Sequence, residues 1–331
     1  MEDTRLAMVG DVMLGRGVNE ILHHASVNYP WGNLLHLFGE ANFRICNLEC
    51  ALSDRGEPWP DKAFHFRTDT KNVAVLGAAH FNAVSLANNH ALDFGFEALS
   101  DTLTILDGAG IAHAGAGKNI AEAFRPAIAR AGARTIGLVA FTDNEPNWEA
   151  GPHRPGIAYV PADFAEERAR FLFETIEQAR TNCDILVVAA HWGPNWGYEP
   201  PPRQVPFARR MIDLGADVVF GHSGHVFRAV EIYRGRPILY CAGNFVDDYA
   251  VDEVERNDES FIFFTDIGPA GPSRLRLYPT LIAGCQAFLA PANRAGEIAH
   301  KMKRLCAKIG TQTLWHEPER YLEIPIARFA T

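Results

Sequence analysis

No window of this 331-residue chain approaches the ~20 consecutive apolar residues that a bilayer-spanning helix needs. A basic N-terminal segment followed by an apolar run is also missing, so the expectation is a cytoplasmic protein without a secretory signal or a membrane partner. Positive charge is scarce. Lys and Arg number 31 against 40 Asp and Glu, a formal charge of −9, and the charges are interspersed. Broad nucleic-acid binding needs a basic face, so that class is excluded. The six cysteines (Cys46, Cys50, Cys183, Cys241, Cys285, Cys306) form no C-x-x-C pair and no compact ladder. They read as reduced, mostly buried thiols rather than a disulfide or zinc framework. Internal repeats and low-complexity segments are absent as well.

What is present is a series of apolar runs, each followed by a short polar motif. Leu6–Val9 leads into Gly10-Asp11, and Phe43–Cys46 into Asn47-Leu48-Glu49. Ala83–Leu86 precedes Asn88-Asn89-His90, and Ile185–Ala190 precedes His191-Trp192-Gly193. Val218–Phe220 precedes Gly221-His222-Ser223-Gly224-His225. Apolar, β-branched runs bounded by Gly, Asn or Asp read as buried strands. In α/β sheets such strands carry ligands at their carboxyl ends. Asp, Glu, Asn and His are donors for hard and borderline divalent metals, so five such ends look like one metal site.

Helical spacing marks Phe94–Ala109, Phe164–Thr181, Val205–Leu214 and a closing helix at Ala295–Ile309. A strand is expected at Thr135–Phe141, and Asp143–Pro155 reads as a surface loop. Val226–Tyr233 and Pro237–Cys241 read as a hairpin turning at Arg234-Gly235, and Phe261–Asp266 and Leu275–Pro279 continue the antiparallel pattern. Helices between strands early and hairpins late suggest a mixed two-sheet α/β sandwich, and nothing forces a domain boundary within 1–331.

The order of these motifs resembles the calcineurin-like metallophosphoesterases, and more closely the CapA (poly-γ-glutamate capsule synthesis) family. The carrying residues are Gly10-Asp11-Val12-Met13-Leu14-Gly15-Arg16, Asn47-Leu48-Glu49, Asn88 to Gly95, His191-Trp192-Gly193, the 221–225 run and Gly243-Asn244-Phe245. The resemblance implies a calcineurin-like sandwich of two mixed β-sheets flanked by helices, spanning about Leu6 to Phe288. It implies Asp11, Glu49, Asn89, His191 and His222 as ligands of one divalent metal ion (Ca2+, Mn2+ or Mg2+). His90 becomes a general acid/base, with Asp93 orienting it, and His225 a ligand or second acid/base. Two departures stand out. Met13 lies where the wider superfamily has a His ligand, and Ser223-Gly224 fill a motif that often reads Gly-His-His-Pro-His.

Each residue also has a plainer reading. Asp11 can cap a helix, Asn88-Asn89 can make a turn, Glu49 can be a surface charge, and His191, His222 and His225 can be ordinary core or loop residues. Asp93 can cap the helix beginning at Phe94. Arg16, Arg44 and Arg67 are candidates for gripping an anionic group. Trp192 and Trp196, with Trp31, Trp59 and Tyr198, are candidates for lining a cleft; packing is the alternative for all of them. The nine other histidines lack motif context.

A metal ringed by His and Asp supports water activation against an ester or amide. It also supports proton exchange at a carbon beside a carbonyl, with His90 and His225 on opposite faces and Asp93, Asp11 or Asp247 beside them. Cytosolic CapA-like proteins also occur with lasso-peptide biosynthesis, which implies epimerisation at the Cα of the C-terminal residue of a ribosomal precursor peptide; the aromatic-rich loop Trp192–Tyr198 suits an aromatic side chain there. The expectation is therefore a metal-dependent peptide epimerase acting on a peptide substrate. A metal-dependent phosphoesterase or other hydrolase comes second and a non-catalytic capsule-assembly protein third.

Overall fold

The computed structural model describes residues 3–326. Two sheets form the frame. In the first, Thr4–Val12 lies between Phe43–Leu48, its parallel neighbour, and Glu259–Gly268, its antiparallel one. Ala83–Ser85 and Ala112–Ala114 extend the parallel side, and Gly271–Ala283 and Tyr321–Pro325 the antiparallel side. The second sheet has Ile185–His191 and Val218–His222 at its centre, parallel to each other, with Arg134–Thr142 beside the first. Ala127–Ala131 closes one end antiparallel to Arg134–Thr142; at the other, Arg236–Leu239 runs parallel to Val218–His222 and Val230–Tyr233 closes the edge antiparallel to it as a hairpin. That hairpin turns at Arg234 and Gly235, both with positive φ (50° and 72°), as a tight primed turn requires.

Alternation along the strands explains why the sheets stack. Leu6 and Met8 face inward with Ile45, Leu138, Val187 and Phe220, forming the core between the sheets. Ala7, Val9 and Cys46 face the other way and pack under helix Gly95–Gly108 through Leu99, Leu103 and Leu106. Val139, Leu186 and Val188 do the same on the second sheet, beneath helices Glu167–Arg180 and Gln204–Asp213. Both sheets are thus apolar on two faces, the reason their strands read as nearly continuous hydrophobic runs. Helix Ala292–Lys308 seals the inter-sheet core with Ile298, Met302 and Leu305. This is the expected α/β sandwich. The expected 143–155 surface loop differs: it contains a short 3-10 turn, Pro146–Trp148, whose Trp148 ring is buried against Trp59. Among the described residues no helix is long and apolar enough to cross a membrane.

Candidate metal centre and cleft

Strand ends deliver the polar side chains. Asp11 sits near the end of the first strand, in register with Asn47 on one side and Asn244 on the other. Gly10 makes this approach possible, because a Cβ there would lie 1.8 Å from the Gly243 carbonyl oxygen. On the second sheet His191 and His222 end neighbouring parallel strands and stand side by side in register. The turn after Ala83–Ser85 supplies Asn88, Asn89 and His90.

Across the gap between the sheets, donor atoms of Asp11, His191 and His222 all lie within 4.8 Å of one another. Asp11 Oδ1 is 3.8 Å from His222 Nδ1 and 4.0 Å from His191 Nδ1. The two Nδ1 atoms are 2.8 Å apart. His191 also faces a second set of donors: its Nε2 is 2.8 Å from Asn89 Oδ1 and 3.9 Å from Glu49 Oε1. Asn47 binds the carboxylates together, its amide Nδ2 donating to Asp11 Oδ1 (2.7 Å) and Glu49 Oε2 (3.1 Å). Asn88 fixes that amide's orientation by donating to Asn47 Oδ1 at 3.0 Å. Ser223 N donates to the other oxygen of Asp11 at 3.3 Å.

Burial dominates the electrostatics. It pushes the Asp11 carboxyl up to about 7 and raises Glu49 well above the usual carboxylate range, the charge of Asp11 adding to the effect. It lowers His222 to about 3 and His191 well below an ordinary imidazole. Among the described residues, the ion-pair partners of Asp11 and Glu49 are all imidazoles. His222 Nε2 is buried without a hydrogen-bond partner. Burial keeps both imidazoles neutral, the form in which they ligate, and a mixed oxygen–nitrogen set of this kind suits a divalent cation. The residues present therefore fit such a metal.

Beside this cluster stands a dyad. His90 Nδ1 is 2.6 Å from Asp93 Oδ2, and His90 Nε2 is 3.8 Å from Glu49 Oε1. Asp93 is held by Lys62 Nζ (2.7 Å) and by the Phe66 amide (2.6 Å). Burial lowers His90 below its ordinary value, only partly offset by Asp93. A cleft of about 510 Å³ opens here, lined by Asn89, His90, His225, Phe64, Trp196 and Tyr249 among others. His225 Nδ1 lies 3.0 Å from Asn244 Oδ1, and Asn244 Nδ2 donates to Asp247 at 2.6 Å.

Residues 5–249 match the family described as bacterial capsule synthesis protein PGA_cap. The chain belongs to this family. A probable polyglutamine synthesis accessory protein of Mycobacterium tuberculosis is 32% identical over 358 residues, covering 95% of this chain and 94% of that one. The PGA biosynthesis protein CapA of Bacillus subtilis is 31% identical over 245 residues, covering 73% of this chain and 63% of its own length. A solved phosphatase from Mycoplasma pneumoniae shares the fold, with a TM-score of 0.55 at 14% identity over 85% of this chain and 94% of that one. The sandwich thus has the fold of that phosphatase.

The structure brings Asn89, His90 and His225 to the wall of the cleft and buries Asp11, Glu49, Asp93, His191 and His222 beside them; other expectations for this PGA_cap chain are corrected. Asp93 caps no helix: the helix begins at Gly95, and its cap position, Phe94, makes no side-chain cap bond. Trp192 is fully buried, its Nε1 donating to the Tyr240 carbonyl at 3.1 Å, so it packs the core and lines no cleft. Arg44 donates to the carbonyls of Phe38 (2.7 Å) and Ala41 (2.6 Å), and Arg67 to those of Arg55 (3.2 Å) and Gly56 (3.1 Å). Both arginines brace loops. Arg16 alone of the three reaches the cleft margin, 3.3 Å from Asp248 and over the rings of Phe64 and Tyr249. Trp31 is core, and Tyr198 packs against Phe227. Asp247 reaches His225 only through Asn244, and Met13 lies in the core. Lys62, Phe64 and Tyr249 went unnoticed because nothing in their loops marks them. Asn47 had a signal, its place at a strand end beside Glu49.

Proposed function

We propose that this chain is a divalent-metal-dependent hydrolase acting on a polyglutamyl-type chain in bacterial capsule-polymer synthesis. The observation that carries the reading is the His90–Asp93 dyad, 2.6 Å long, whose His90 lines the cleft together with Asn89, the residue that meets His191 of the buried Asp11–His191–His222 cluster at 2.8 Å. Asp11, His191 and His222 would hold the metal, with Glu49 and Asn89 on the far side of His191. Bound there, a divalent ion supplies a nucleophilic water near neutral pH and polarises the acceptor oxygen. The protein's own part is proton movement. Asp93 accepts a hydrogen bond from His90 Nδ1–H and so fixes the tautomer, which leaves Nε2, 3.8 Å from Glu49 Oε1, as a proton acceptor. Burial lowers His90 below its ordinary value, and in the neutral form its Nε2 can accept a proton and return it to the departing group. The names of the relatives support the polyglutamyl substrate class. The proposal includes a cytoplasmic setting, supported by free cysteines, and no nucleic-acid partner, supported by the charge of −9.

The test is turnover in 18O-water with protein loaded in turn with Mn2+, Mg2+ and Ca2+. Poly-γ-glutamate, α-linked polyglutamine peptides and p-nitrophenyl phosphate esters are the substrates. One 18O per broken amide bond, lost in His90→Gln, supports the reading; ester cleavage alone would redirect it to a phosphoesterase, and no cleavage of any substrate would sink it.

A second reading, epimerisation at a peptide Cα, is favoured by one feature: a second imidazole, His225, lines the same cleft from a different element. It expects one deuteron taken up from D2O by an intact peptide, dependent on both His90 and His225.

A further inference from the structure

Arg228 is a fully buried guanidinium to which neither the metal cluster nor the dyad assigns a role. Its Nε donates to the Gly197 carbonyl at 3.0 Å, and its Nη2 to the carbonyls of Pro194 (2.7 Å) and Trp196 (3.4 Å). Three acceptors on one loop engage one planar fork, a geometry that Arg alone among side chains provides. Its own backbone is fixed by donation to the Cys241 carbonyl at 3.0 Å. Two glycines make the room. A Cβ on Gly224 would lie 3.1 Å from Nη2, and one on Gly193 would lie 2.5 Å from Gln204 Nε2 and 3.4 Å from Arg228 Nη1. Gly224 is one of the two residues that depart from the usual 221–225 motif, and here the guanidinium fills the space it leaves.

The loop so held carries Trp196, 44% exposed, into the cleft, where its ring centroid is 5.2 Å from that of His225. Asn195, the neighbouring residue, also lines the cleft, and its carbonyl accepts from the His225 amide at 2.8 Å. The base of the loop is pinned by Asp143, whose carboxylate accepts from Gly193 N at 3.0 and 3.2 Å and lies within electrostatic reach of Arg228. A buried charge is costly unless it is bonded and balanced, so this arrangement is expensive as mere packing.

We propose that Arg228 is a positioning residue that locks the 193–198 loop as the wall of the substrate cleft, setting Trp196 and Asn195 against His225. It touches no reacting atom. Its effect is on where the substrate's flank rests, so loss of the clamp weakens substrate binding more than the chemical step.

The test needs no assumption about the reaction. Arg228→Met and Arg228→Lys are compared with wild type by amide hydrogen exchange, by acrylamide quenching of the Trp196 signal (each protein against its own Trp196→Phe version) and by Mn2+ binding. In Arg228→Met, amides of 193–199 should exchange ~10-fold or more faster while strand Ile185–His191 stays protected. Trp196 should become more quenchable, and Mn2+ affinity should hold within ~2-fold. Lys keeps the charge and part of the bonding, so it should fall between. Should a cleaved polyglutamyl chain be found, KM should rise with kcat nearly constant, and Trp196→Ala should reproduce that change with a protected loop. Wild-type exchange at 193–199 in folded Arg228→Met overturns the proposal, as does uniform loosening that includes Ile185–His191. If Arg228→Met does not fold, wild-type exchange at 193–199 in Arg228→Lys overturns it equally.

Discussion

His191 illustrates how much one side chain can do at a buried junction. Its Nδ1 looks toward Asp11 and His222, and its Nε2 toward Asn89 and Glu49. His222→Ala removes a donor outright and should weaken Mn2+ binding by more than the ~10–100-fold seen on losing an outer-shell partner; equilibrium dialysis with elemental analysis measures it. His90→Gln and Asp93→Asn should leave metal content intact while lowering kcat by ~10²–10⁴-fold, the usual contribution of positioned acid–base groups. Metal loss in either variant would move these two residues from proton transfer to metal support. The donors were legible in the sequence because each follows an apolar run. The uses of Lys62 and Arg228 were not, since an ammonium or a guanidinium in a loop has no periodicity to betray its partner.

Elements set these distances through close backbone contacts. Gly10 and Gly221 sit where a Cβ would meet the Gly243 oxygen at 1.8 Å and the Tyr240 oxygen at 2.3 Å. The obstructing atoms are backbone, which cannot rotate away. Gly10→Ala should therefore cost at least ~2 kcal/mol, as overpacking does, and part the first strand from Asn244–Val246. A fall in both Tm and Mn2+ affinity is the expected result, and unchanged values of both would show that the contact is dispensable. Helix and strand boundaries were read from the sequence to within a few residues at Gly95–Gly108 and Glu167–Arg180. Asp93, read as orienting His90 with a helix cap as the alternative, is informative. An acid just before a helix reads as a cap, yet here His90, Lys62 and the Phe66 amide compete for it and win.

At the scale of the molecule, each ligand-bearing sheet must hold its own strands in register, and Asp266 shows one way that is secured in the first sheet. It receives Arg5 at 2.7 Å and Arg274 at 3.0 Å, joining three neighbouring strands. Burial alone would raise its carboxyl, but the bonds from Arg5 and Arg274 outweigh that and hold it below the usual carboxylate range. A depressed folded pKa gives stability that is full above the unfolded value and lost as pH falls through the folded one. Asp266→Asn should thus lower stability by about 1–3 kcal/mol at neutral pH and flatten the acid limb of the pH–stability curve. Equilibrium urea unfolding at several pH values reads both. A metal linking the two sheets should raise Tm, since ligand at 100 times its Kd adds about 2.7 kcal/mol, and EDTA should reverse the gain.

Residue type and its place after an apolar run were enough to determine the sandwich, the strand ends and the kinds of donor they carry, because burial and hydrogen-bonding chemistry act along the chain. Tertiary structure alone decided which nitrogen of His191 meets Asn89, 102 residues away, that Trp192 packs the core while Trp196 reaches the cleft, and that Arg228 grips the loop between them. Those outcomes depend on the separation of distant segments once the two sheets have closed on each other, a quantity no local pattern encodes.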